Sequence, residues 1–204
     1  MTEIVLYGHP DSGHACKVAL ALSLAEIPHR TVFVDIWAER ATRPTDFLAV
    51  SPLGEVPVLV IDGTPYFQSG AILMQIAERF GVLGGESAEG TARGRSLLMW
   101  EANRIGMCLP QLKQAHVDQF VGWDPAVIKW LEGRYAVDAA NFDVLLGDAP
   151  FLHGDAPGFG DVQVWGYVQW VREAGQEPTE KMQAWMDRML ALPAMRTPAE
   201  FFPA

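Results

Sequence analysis

The sequence predicts an α/β N-terminal domain followed by an all-α C-terminal domain. Three observations carry this. Within residues 1–81, strand-like and helix-like stretches follow in the order β-α-β-α-β-β-α. Residues 82–90 are rich in Gly and Ser and read as a linker. In residues 91–204 no stretch has the pattern of a strand, while apolar residues recur at helical spacing.

Each element has its own signal. Glu3 to Tyr7 is the first strand, and Gly8 to Gly13 the loop after it. Ala15, Val18, Ala19, Leu22 and Ala25 mark a helix from His14 to Ala25. Thr31 to Val34 is the second strand, and a short helix is expected around Thr45 to Ala49. Val58-Leu-Val-Ile61 is a continuous apolar run, as in a strand covered on both faces. Asp62-Gly63 is a strong hairpin turn signal. Pro65 in the return strand lacks an N–H, which places that strand at a sheet edge. Ser69 then reads as the N-cap of a helix through Ala71 to Ala77 that closes near Phe80-Gly81. In the second domain a long helical pattern runs from Thr91 to Val121, with a bend expected at Pro110. Asp124-Pro125 opens a helix ending at Gly147; two more span Gly158 to Ala174 and Thr179 to Leu192.

Composition narrows the function. The chain of 204 residues is 50% apolar and carries a net charge of -10. Nucleic acid and anionic membrane surfaces call for basic patches, so both are disfavoured as partners. No apolar run approaches the roughly 20 residues that span a bilayer, and the first residues lack a basic region with a cleavage site. A cytoplasmic location is expected. Cys16 and Cys108 form no C-x-x-C pair, and no histidines pair at i, i+4, so metal binding has no support. Other readings of the loops fail on spacing. His14-Ala15 stands where a phosphate loop needs Lys-Ser/Thr, Ser12 lies outside any G-x-S-x-G, and Gly158-Phe-Gly160 lacks a third glycine.

The block Ser51-Pro-Leu-Gly-Glu-Val-Pro-Val-Leu-Val-Ile-Asp-Gly-Thr-Pro-Tyr-Phe-Gln-Ser69, behind the first strand-loop-helix, resembles the centre of the glutathione transferase N-terminal domain, which is thioredoxin-like. The resemblance spans nearly the whole chain. It implies a cis Val56-Pro57 bond, with the Val56 backbone pairing with the cysteinyl part of glutathione. It also implies that Gln68 and Ser69 hold the γ-glutamyl group, and it adds Glu55 to the glutathione-binding set. The chemistry agrees, because a helix N-terminus offers unpaired N–H groups to a carboxylate.

The same resemblance implies that the loop after the first strand supplies a hydroxyl to the glutathione thiolate. Ser12 is the first candidate, Tyr7 its rival, and His14 either a helper at the sulfur or an exposed helix-start residue. Cys16, one turn into the helix, is either a reactive thiol or a small buried apolar residue. Lys17 is a helper for the glycine carboxylate or part of a solvated helix face. In the second domain Gly158 replaces the Ser/Thr of the family's capping box, while Asp161 keeps its place. Trp100, Asn103, Arg104 and Met107 are candidates for the second-substrate pocket, with core packing as the alternative for Trp100 and Met107. The expected activity is thiolate attack on an electrophilic small molecule. Alternatives are a glutathione-dependent disulfide reductase, peroxidase or isomerase, or a noncatalytic binding protein. A homodimer is expected.

Overall fold

The computed structural model describes residues 2–118 and 122–203, so the end of the expected Thr91–Val121 helix lies outside the described residues. The chain divides into two compact units, Met1–Glu86 together with Pro193–Ala204, and Ser87–Leu192.

The first unit is built on a mixed sheet of β1 (Ile4–Gly8), β2 (Arg30–Phe33), β3 (Val58–Ile61) and β4 (Thr64–Phe67), in the order β2-β1-β3-β4. β1 pairs parallel with β2, and β3 antiparallel with both β1 and β4. Period-two alternation gives each strand two faces. Val5 and Tyr7 share one face with Val58 and Val60, closed by Phe47 of the short helix α2 (Thr45–Val50). The alternate residues Leu6, Leu59 and Ile61 are fully buried too. On that side α1 (Gly13–Leu24) packs on β1 and on α3 (Ser69–Phe80). The hairpin turns at Asp62 (φ 49°) and Gly63 (φ 81°), the left-handed pair that a two-residue hairpin demands. β4 is the edge strand, as its proline requires.

The last segment returns to this unit. Ser23 Oγ donates to the Ala194 carbonyl at 3.1 Å, and the short helix α9 (Pro198–Phe201) leads into Phe202, which is 1% exposed. The Phe202 ring fills the space that a Cβ at Gly8 would need.

The second unit consists of α4 (Ala88–Asn103), α5 (Ile105–Lys113), α6 (Pro125–Leu146), α7 (Phe159–Val168) and α8 (Glu180–Leu190). Its centre is α7, buried almost all round and packed on α4 and α5. The long first helix breaks at Arg104 (φ -126°, ψ -104°), and Pro110 sits inside α5 instead of marking the bend. Starting a fresh helix at Ile105 places Pro110 in its second turn, where the missing N–H leaves only the Gly106 carbonyl without its helical partner.

Candidate functional site

The segment between β2 and β3 is pinned from within. Arg43 donates to the carbonyls of Ile36, Ala38 and Gly54, and Ser51 Oγ donates to the Glu55 carbonyl at 3.0 Å. Arg40 meets Glu55 at 3.3 Å. This loop presents Val56 ahead of a cis Val56-Pro57 bond, the geometry the resemblance implied. β3, the turn and β4 then carry the chain back to the start of α3.

A cavity of about 110 Å³ opens at this place, walled by Ser51, Leu53, Glu55, Val56, Pro57, Phe67, Gln68, Ser69 and His14. Every residue assigned to glutathione binding from the sequence lines it, joined by His14 from the head of α1. The sequence reading missed Ser51, Leu53 and Phe67 as wall residues. All three lie within or at the edge of the Ser51–Ser69 block, so their proximity was visible while their orientation was not.

The electrostatics of the cavity come from α3. Its N-cap is Gln68 and not Ser69; Gln68 takes φ 68° and makes no side-chain capping bond. No acidic residue occupies the first turn. The terminus therefore keeps its dipole and amides uncompensated by its own side chains. Ser69 is the first helical residue, 6% exposed, and its hydroxyl lies 3.2 Å from His14 Nδ1. His14 retains considerable solvent contact. The protein mass around it, and next the Lys17 ammonium, lower its pKa, which favours the neutral ring.

The other loop candidates separate. Ser12 is the N-cap of α1 and its Oγ accepts from the Ala15 N–H at 3.2 Å, which leaves its own proton available to donate. It is half-buried, two residues from His14, and does not line the cavity wall itself. Tyr7 turns the other way. Its hydroxyl lies 3.5 Å from Asp46 Oδ2 and its ring packs on Phe47, on the sheet face closed by α2. Burial, then the Asp46 carboxylate, raise its pKa, so the hydroxyl keeps its proton and holds it toward Asp46. Cys16 is buried with Sγ 3.5 Å from the Pro10 carbonyl. Lys17 is fully buried, so the solvated helix face expected for it is corrected: the side of α1 that carries it faces the interior.

In the second unit the proposed pocket residues do not share one straight helix. Trp100 and Met107 are half-buried, while Asn103 and Arg104 are exposed at the helix break. Arg104 reaches the fully buried Asp138 at 3.9 Å. The Cys108 thiol lies on that same carboxylate; burial, then the negative charge, push its pKa up to about 11.

Known proteins match this chain along most of its length. The family described as Glutathione S-transferase, N-terminal domain, matches residues 11–79. The disulfide-bond oxidoreductase YfcG of Escherichia coli is 31% identical over 94% of this chain and 92% of its own. A maleylacetoacetate isomerase of Rhizobium meliloti is 33% identical over 82% of this chain and 83% of its own. Among solved structures, a glutathione S-transferase from Xanthobacter autotrophicus superposes with a TM-score of 0.82 at 26% identity, covering 95% of this chain and 96% of its own.

Proposed function

The chain belongs to the cytosolic glutathione transferase family, with glutathione as the co-substrate that fits this membership, and we propose that it joins glutathione through its sulfur to an electrophilic small molecule. The observation that carries this is the cavity itself, in which the cis Val56-Pro57 segment meets the uncapped start of α3. In this reading Val56 pairs with the cysteinyl backbone, and Gln68 and Ser69 take the γ-glutamyl group. Glu55 lines the same cavity, where a carboxylate attracts the ligand's ammonium.

Ser12 then acts on the sulfur. A thiol has a pKa of about 8.5, and lowering it by two units requires about 2.7 kcal/mol. A hydroxyl donor to an anion contributes about 1.5–3 kcal/mol and a helix N-terminus about 0.3–1 kcal/mol, so Ser12 at the head of α1 is sufficient. Serine cannot take the thiol proton, which leaves to solvent; it donates to the resulting thiolate. The thiolate forms a C–S bond to the electrophilic carbon, and the leaving group departs with its electron pair.

The test is Ser12→Ala. It is expected to raise the titration midpoint of bound glutathione and to cut turnover tenfold or more, about 1.4 kcal/mol in the barrier. Ser12→Thr, which retains both the cap and the donor, is expected to restore most of the rate, and Cys16→Ser to leave it unchanged. Loss of activity in Cys16→Ser, with a glutathione mixed disulfide at Cys16 in the native protein, would transfer the chemistry to that thiol.

A second reading, a glutathione-dependent disulfide reductase, is favoured by the name of the Escherichia coli relative. Because Cys16 is buried, that chemistry too would run on the glutathione thiolate. Rates on a chlorodinitrobenzene and on a mixed disulfide separate the two readings, and an isomerase or peroxidase assay extends the panel. Retention on immobilised glutathione without any turnover would indicate a binding protein.

We also propose a cytoplasmic homodimer. Support comes from α6, where Trp130, Val137 and Val144, spaced by sevens, are 54%, 55% and 79% exposed. Such a stripe suits a second copy, and sedimentation of a 22.5 kDa species at micromolar concentration would refute it.

A further inference from the structure

Ser69 Oγ faces both the cavity and His14 Nδ1, which stands 3.2 Å away. A neutral imidazole carries one N–H and one bare nitrogen, so Nδ1 either accepts from the Ser69 hydroxyl or donates to it. These two states present opposite faces of the hydroxyl to the cavity. If Nδ1 accepts, Ser69 shows only lone pairs to a ligand and repels a carboxylate. If Nδ1 carries the proton and donates, Ser69 is left with its own O–H aimed outward as a donor.

We propose that His14 is a positioning residue for the ligand's γ-glutamyl carboxylate, and not a group that touches the sulfur. Binding selects the Nδ1–H tautomer, and a directed chain forms from His14 Nδ1–H to Ser69 Oγ and from Ser69 Oγ–H to the carboxylate. The inference rests on the reading of the cavity as a glutathione site. It explains why an α1 side chain stands at a terminus that α3 leaves without a capping side chain. The adjoining charges are Lys17 on the same helix and Glu55 in the cavity wall. The tautomer change costs no net charge beside either of them.

Glutathione binding by calorimetry tests the chain. His14→Ala is expected to weaken affinity about tenfold, and His14→Asn, whose amide reaches the Nδ1 position, to stay within about threefold of the native protein. In a Ser69→Ala background the His14→Ala change is expected to cost less than about twofold, because the partner it orients is gone. Nitrogen NMR of His14 supplies the signature that mere packing would not give: Nδ1 shifts to the N–H type when glutathione is added. Equal losses in both backgrounds, or a bare Nδ1 in the bound state, would overturn the proposal. A native protein that binds no glutathione would remove the cavity reading and this inference with it, whereas native binding with a silent His14→Ala removes only the inference.

Discussion

Two helix N-termini in this protein treat the same physical problem in opposite ways. Every α-helix begins with N–H groups that have no helical partner. At the start of α7 the chain's own side chains occupy the terminus. The Asp161 carboxylate accepts from the N–H groups of Leu152 (2.7 Å), His153 (3.2 Å) and Gly158 (3.0 Å) and from the Trp185 indole (2.9 Å). His153 Nε2 accepts from the Gly160 N–H at 3.1 Å. The imidazole occupies the space of a Cβ at residue 158, so it does the work of the Ser/Thr side chain usual in this capping box, and Gly158 is what makes room for it. At the start of α3, Gln68 provides no side-chain cap, the first turn holds no acid, and a cavity opens instead. A terminus closed by its own side chains serves folding, and one left open is available to a ligand.

Breaking the closed terminus should have the largest effect. Asp161→Ala leaves several buried donors unpaired at about 1–3 kcal/mol each, and unfolding by denaturant is expected to show a loss above about 3 kcal/mol. A loss below about 1 kcal/mol would mean that water reaches those groups and the terminus is not closed. His153→Ala comes next, at about 1–2 kcal/mol for one lost cap acceptor. Gly158→Ser alone should destabilise, because its Cβ collides with the imidazole. The double variant, with the ring gone and a hydroxyl in its place, should recover most of the His153→Ala loss. If the two substitutions simply add, His153 is not standing in for the cap.

The closed and open ends were not equally legible in the sequence. Where local chemistry decides, sequence and structure agree: Asp62-Gly63 turns the hairpin, Pro65 marks the edge strand, and the residues of the Ser51–Ser69 block singled out for a ligand line one cavity. Where tertiary packing decides, they do not. His153 is five residues upstream of Gly158 in the sequence, and nothing local says its ring folds back onto the helix start. Ser69 and Gln68 both suit a cap, and only the positive φ at Gln68 assigns the position. Tyr7 alternates in phase with Val5, and only the packing of Phe47 on that side settles which sheet face this phase meets. Burial of Lys17 ran against the usual fate of lysine, and the break at Arg104 was hidden behind the stronger signal of Pro110. The return of Phe202 to Gly8 joins the two ends of the chain and has no local signature at all.

The smallest predicted effect concerns the cost of keeping α3 open. Gln68 holds φ 68°, ψ 111°, a region that side-chain-bearing residues rarely visit. Such a conformation costs of the order of 1–3 kcal/mol and persists only where the surrounding structure holds it. Here β4, the α3 helix and the cavity wall do so. Glycine has no Cβ to clash, so Gln68→Gly relieves that strain, but it also adds conformational entropy to the unfolded chain, about 0.4–1 kcal/mol in the other direction. The net expectation is a gain in stability of the order of 1 kcal/mol, accompanied by weaker glutathione binding because the Gln68 side chain is lost from the wall. Gln68→Ala separates the two contributions: it removes the same contact while retaining the strain, and should lose affinity without gaining stability. A Gln68→Gly variant less stable than the native protein would show that the backbone at the open terminus is relaxed, and that openness there rests on the missing cap alone.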